Sequence, residues 1–129
     1  MFNFVLVMIG GAVGSAARYG LSRLWSVQAG PAQVWPWPTF AANLLGGVLM
    51  GLLAGWLMAR GGADSERLRL FLGVGVLGGF TTFSSYSLEV VLMLERREYA
   101  LAGFYAVASA ALAIIAVMIG LFVFRKVSG

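Results

Sequence analysis

The sequence predicts an all-α membrane protein: four transmembrane helices in a single four-helix domain over residues 1–129, with the third helix broken. Three observations carry this reading. Of the 129 residues 60% are hydrophobic and 11% charged, with a mean hydropathy of +0.90, too little polar surface for a water-soluble domain. Charge-free runs extend over Met1–Ala17, Leu24–Ala59, Leu70–Leu88 and Tyr99–Phe124, and roughly 20 apolar residues cross a bilayer as helix. The third run contains GVGVLGGFTTFSSYS, Gly73 to Ser87, where four glycines meet a cluster of hydroxyl and aromatic side chains. Inside a bilayer an unpaired backbone group costs several kcal/mol, so a broken helix persists only where protein or a water-filled path surrounds it. The break therefore predicts an ion or substrate pathway.

Span 1 is expected from about Phe4 to Leu24. No Lys or Arg precedes it, and Gly10, Gly11 and Gly14 run into Arg18 without a cleavage pattern, which points to a retained span and not a signal peptide. From Gln28 to Pro38 the prolines Pro31, Pro36 and Pro38 break any helix, while Trp35 and Trp37 suit the headgroup region. Span 2 should begin near Pro38 or Thr39 and stop near Arg60. The turn Gly61-Gly62-Ala63-Asp64 follows, with Asp64 or Ser65 as the expected N-cap of span 3. Span 3 should enter at Leu68, loosen around Gly78 and Gly79, and resume from about Thr82 to Arg96. A short charged link, Glu95 to Glu98, leads into span 4, which ends at Arg125 and Lys126.

The net charge of +4 invites a nucleic-acid reading, but the basic residues stand at span ends beside Asp64, Glu66, Glu95 and Glu98. Contact with lipid headgroups suits that placement better, and no nucleic-acid partner is expected. Cysteine is absent, which removes disulfides and thiol chemistry; histidine is absent, which removes the usual metal ligand and proton shuttle. Lys and Arg normally mark the cytoplasmic side. Arg60, Arg67, Arg69, Arg125 and Lys126 share one side and Arg18, Arg23, Arg96 and Arg97 the other, five against four. So even a balance permits insertion both ways up and pairing of inverted copies, and equally a single topology with the termini inside.

Thr39, Asn43, Gly47, Gly51 and Gly55 recur every fourth residue along span 2. Small residues at this spacing let helices approach closely, and packing is the reading for the three glycines. Asn43 is different, because a buried amide needs partners and carries N–H donors that suit an anion as well as a backbone carbonyl. In span 1, Gly11, Gly14, Arg18 and Tyr19 form G-x-x-G-x-x-x-R-Y. Arg18 either snorkels to the headgroups or faces a vestibule, where its permanent charge attracts anions. Glu89, the one acid well inside a span, is a proton-coupling group, a buried hydrogen-bonding partner or a snorkelling residue. Thr81, Thr82, Ser84, Ser85 and Ser87 supply hydroxyls, and Phe83 and Tyr86 share a helical face. A ring edge is weakly electropositive toward a small anion, and carbonyls freed by the glycines suit a cation. No nucleophile, base and orienting group recur at a recognisable spacing, which argues against an enzyme.

These residues resemble the Fluc, or CrcB-type, fluoride channel family over nearly the whole chain. The likeness rests on the four spans, on Gly11-x-x-Gly14-x-x-x-Arg18-Tyr19, on Thr39-x-x-x-Asn43-x-x-Gly46, and most specifically on Gly78-Gly79-Phe80-Thr81-Thr82-Phe83-Ser84. The resemblance implies a dual-topology, antiparallel homodimer with two fluoride pores in a bacterial-type inner membrane, surrounded by lipid. It also implies a central Na+ held by backbone carbonyls that map onto Gly78 and Thr81. Its pore residues correspond to Asn43, Phe83, Ser84, Ser85, Tyr86, Tyr105 and Ser109, with Thr39 a further donor. Tyr86 stands where the family usually has phenylalanine. Arg18 resembles the vestibule arginine and Glu89 the buried glutamate. Such a pore would replace the water of fluoride with hydrogen-bond donors and offer no ring of acceptors to repel it.

Two other functions fit parts of the pattern. A small dual-topology, proton-coupled exporter of organic cations wants a titratable carboxylate facing a central cavity, typically in the first helix, and span 1 has none. A non-transporting assembly subunit would need only the glycine ridges.

Overall fold

The computed structural model describes residues 1–28 and 34–129. Among these, four helical stretches are long and apolar enough to cross a membrane: Phe2–Val27, Trp37–Arg60, Ala63–Glu95 and Tyr99–Ser128. Helix α1, Phe2–Gln28, runs past the expected end at Leu24, the Ser26 hydroxyl donating back to the Ser22 carbonyl at 2.8 Å. Pro31, expected to interrupt the chain next, lies outside the described residues. Helix α2 is Trp37–Arg60, with Pro38 in its first turn, where a missing N–H leaves no helical bond unmade. It closes on Gly61, whose φ of 63° lets its N–H reach back to the Leu57 carbonyl.

The third span is the irregular one. It begins with α3, Ala63–Leu68, passes through a π-helical stretch, Arg69–Leu77, and a short α4, Gly78–Phe80, then resumes as α5, Phe83–Glu95. Its start corrects the expected capping: the N-cap is Gly62, at φ 102°, with no side-chain cap. Ser65 instead donates to the Gly61 carbonyl at 2.9 Å, and Asp64 lies 3.7 Å from Arg67 at an exposed edge. The irregularity is also displaced from where the glycines put it. Gly78 is helical, at φ −62° and ψ −38°, and the chain leaves the helix at Thr81 (ψ 158°) and Thr82 (φ −152°, ψ 126°). Helix α6, Tyr99–Ser128, completes the fold.

Packing follows the small residues. Along α2, Gly47, Gly51 and Gly55 lie against α6, and Gly51 and Gly120 bring the two backbones together: a Cβ on Gly51 would collide with the Val117 carbonyl, and one on Gly120 with that of Val48. Helix α1 lies on the π-helical stretch in the same way, Gly14 facing the Val76 carbonyl and Gly10 that of Phe71. At one end Met93, Ala102 and Tyr105 are buried together beneath Trp35, Phe40 and Tyr86. This aromatic end and the Thr81–Thr82 interruption bracket the polar residues that the sequence singles out.

Candidate functional site

The interruption is held by a side chain from another span. At Thr82 the extended backbone frees an amide and a carbonyl, and Asn43 of α2 takes both: Oδ1 accepts from the Thr82 N–H at 2.8 Å and Nδ2 donates to the Thr82 carbonyl at 3.1 Å. An amide suits this task because it carries a donor and an acceptor in one plane. One of the Asn43 N–H donors is thereby committed to protein. The Thr82 hydroxyl then accepts from the Ser85 N–H at 3.2 Å and so caps α5. Gly46 makes room for this arrangement, since a Cβ there would strike the Thr81 methyl.

The same bonds redirect the amides that would continue a helix through the interruption. In a regular helix the Thr82 N–H would bond the Gly78 carbonyl and the Ser85 N–H that of Thr81. Here they donate to Asn43 and to the Thr82 hydroxyl. Gly78 is exposed at the protein surface. The carbonyl of Gly79 points the other way and receives Arg18 Nε at 3.3 Å and the Ser15 hydroxyl at 3.5 Å. Arg18 thus sits half-buried at the C-terminal end of a helical run, where carbonyls concentrate negative potential.

Beside the interruption a recess of about 320 Å³ opens between α2, α5 and α6, lined by Asn43, Thr81, Thr82, Phe83, Tyr86 and Ser109 on its polar and aromatic side and by Met50, Ala113 and Val117 among its apolar residues. Phe83 is 79% exposed at its mouth, its ring 5.5 Å from that of Tyr86. The Tyr86 hydroxyl donates to the Ala106 carbonyl of α6 at 2.6 Å. Ser109 is buried, and its hydroxyl has no hydrogen-bond partner among the described residues.

A second polar group lies on the aromatic side. Glu89 accepts from the Thr39 hydroxyl at 2.5 Å and from the Tyr105 hydroxyl at 2.6 Å. The Tyr105 ring, fully buried, stands 5.6 Å from Tyr86 and 5.0 Å from Trp35. Ser84 is exposed, its hydroxyl 3.3 Å from that of Thr82.

The residues picked from sequence therefore fall into three groups. Asn43, Thr81, Phe83, Tyr86 and Ser109 meet at the recess; Thr39, Glu89 and Tyr105 form the hydroxyl–carboxylate cluster; Arg18 and Gly78 stand on the other sides of the interruption. Ser84 and Ser85 are on α5 but are not among the residues lining the recess. Sequence reasoning did not find the Thr82 backbone as the partner of Asn43, although the four-residue step from Thr39 to Asn43 put that amide on the right face. It also missed Trp35 as the lid on Tyr105, for which composition offers no signal.

Fold and site define a small multi-pass membrane protein in which Asn43 of the second span bonds the extended backbone at Thr82 of the third. Comparison with known proteins gives its family. Residues 5–121 match the family model described as "CrcB-like protein, Camphor Resistance (CrcB)", and the chain belongs to that family. It is 58% identical, over 98% of both chains, to the fluoride-specific ion channel FluC of Phenylobacterium zucineum (strain HLK1). The corresponding figures are 52% over 98% of both chains for the protein of that name in Caulobacter sp. (strain K31), and 49% over 95% of both for Novosphingobium aromaticivorans.

Proposed function

We propose that this protein is a passive, fluoride-selective channel that releases fluoride from the cytoplasm and confers fluoride resistance. The observation that carries the reading is the recess at Thr81–Thr82: donors from Asn43, Thr82 and Ser109 converge there with the rings of Phe83 and Tyr86, and no acid lines it among the described residues. The naming of relatives at 58% and 52% identity supports it. Hydrogen fluoride enters cells as a neutral acid and dissociates, so expulsion needs no pump; a negative interior contributes about 2.3 kcal/mol per charge per 100 mV.

The functional unit in this reading is an antiparallel pair of inverted copies in a bacterial inner membrane. The five-to-four balance of basic residues across the spans supports it, as do the exposure of Phe83 and Gly78. A central Na+ fits the donor set: the Gly78 and Thr81 carbonyls are hard oxygen ligands whose helical amide partners are redirected. When bound, the ion would supply positive charge between the two copies. Asn43, Phe83, Tyr86 and Ser109, with Ser84, Ser85, Thr39 and Tyr105, line the fluoride path; Arg18 and Glu89 shape its electrostatics.

A proton-coupled exporter finds less support, because Glu89 is engaged by Thr39 and Tyr105 and does not line the recess. The reading is tested by reconstituting the full chain into liposomes and recording halide efflux with ion-selective electrodes, beside a C-terminal accessibility assay on intact cells. Fluoride efflux without chloride efflux, and C-termini on both sides, are expected. Equal rates for both halides would defeat the channel reading, and C-termini on one side alone would defeat the antiparallel pair.

A further inference from the structure

Arg18 carries a permanent charge well before the end of α1 at Gln28, and among the described residues no carboxylate pairs with it. A charge inside a span is costly and calls for a partner. Its partner here is backbone: Nε donates to the Gly79 carbonyl at 3.3 Å, and the Ser15 hydroxyl adds a longer bond at 3.5 Å. That carbonyl needs one. Gly79 lies in the last turn of the helical run that ends at Phe80, and the extended backbone at Thr81 and Thr82 takes away the amide that a continuing helix would offer it. The Leu77 carbonyl, by contrast, is served locally, by the N–H of Thr81 at 2.9 Å and its hydroxyl at 2.8 Å. Glycines set the approach. A Cβ on Gly14 would meet the Val76 carbonyl and one on Gly79 the Gly11 carbonyl, so α1 lies close enough to the run for Arg18, one turn beyond Gly14, to reach its end.

We propose that Arg18 is a positioning residue: its Nε–H caps the Gly79 carbonyl and so holds the first half of the third span against α1, fixing the interruption at which fluoride passes. This rests on the fluoride-channel reading above. The charge of Arg18 strengthens the bond, as it does for any ionised donor, and adds to the field along the path; the donor at Nε is what conduction depends on. A vestibule arginine that only draws anions in would depend on its charge alone, wherever its N–H groups point. The two roles separate chemically. Glutamine places an N–H donor at the same position along the side chain as arginine Nε but carries no charge, and methionine matches that length with neither donor nor charge. With the Nε–H gone, the Gly79 carbonyl is left with the long Ser15 bond alone in an apolar medium, and the interruption loses its hold on α1.

The test takes the full chain as wild type, Arg18→Gln and Arg18→Met in liposomes at low and high ionic strength, reading maximal fluoride efflux rate and half-saturating fluoride concentration. Arg18→Met should slow maximal efflux about thirtyfold, the size of a lost charged hydrogen bond, and Arg18→Gln about fivefold, a neutral donor standing in for a charged one. Both factors should be the same at either salt concentration, with half-saturation little moved. In labelled protein the Gly79 carbonyl carbon resonance should keep its hydrogen-bonded position in Arg18→Gln and shift in Arg18→Met, a readout that needs no flux. Equal losses in the two variants, losses that shrink as salt screens charge, wild-type efflux in Arg18→Met, or a Gly79 resonance that ignores the methionine would each overturn the inference. If Arg18→Met does not fold, Arg18→Gln decides: a salt-independent slowing with the resonance kept upholds the inference, and a salt-sensitive slowing overturns it. A wild-type chain that carries no fluoride overturns the channel reading, while the Gly79 resonance still reports whether Arg18 caps that carbonyl.

Discussion

The α2–α6 contact and the third span are both rich in glycine, yet glycine has opposite consequences in the two places. Along α2, Gly47, Gly51 and Gly55 step by four residues, fall on one face, and leave a continuous helix whose backbone touches α6. In the third span Gly73, Gly75, Gly78 and Gly79 fall at uneven steps, the helix widens over Arg69–Leu77, and three residues later, after Phe80, it stops being a helix. The departure occurs at two threonines and not at the glycines. Freedom of the backbone alone does not open a helix in an apolar medium; a partner for the released amide and carbonyl does, and here it is Asn43.

The largest effect that separates the two regions comes from Asn43→Leu. It leaves the Thr82 N–H and carbonyl without their partner, at a cost of about 3 kcal/mol or more. Thermal unfolding in detergent should show that loss, and fluoride efflux should vanish. Next comes Gly51→Ala, which drives a methyl into the Val117 carbonyl and should destabilise by about 1–3 kcal/mol. Gly103→Ala in α6 is its control, since nothing lies within 4 Å of a Cβ there. It should be neutral or stabilise by about 0.5–1 kcal/mol, the helix-propensity gain. If the two glycine variants melt together, the close-packing account of α2–α6 is wrong. Thr82→Ala removes the cap of α5 and should cost about 1 kcal/mol, with Thr82→Ser restoring most of it. The smallest effect is expected at the far end of the third span. Glu66 pairs with Arg69 at 2.8 Å, but both side chains are about half exposed, and Glu66→Gln should leave unfolding and efflux unchanged.

Much of the fold is legible in the sequence because a bilayer leaves few choices. Charge-free runs give four spans, Gly61 marks the end of α2, and the four-residue step from Gly47 to Gly55 marks a face on which another helix packs closely, which the structure shows to be α6. The family string Gly78–Ser84 points to the stretch in which the site lies. What stayed hidden is set by distant neighbours. The position of the interruption depends on an amide 39 residues away in sequence, which no local rule for glycine can supply. The cap of α3 passes to Gly62 because its backbone takes a positive φ, and Ser65 is drawn back onto Gly61. The hydroxyl pair on Glu89 arises only once α2, α5 and α6 converge.

The central claim, that fluoride crosses where the third span is interrupted, is tested most directly at Phe83, whose ring stands at the mouth of the recess and holds up nothing in the core. In liposomes of matched protein content, Phe83→Ile should suppress fluoride efflux while the size-exclusion profile stays that of wild type. A Phe83→Ile protein that releases fluoride at the wild-type rate would mean that the anion takes another route.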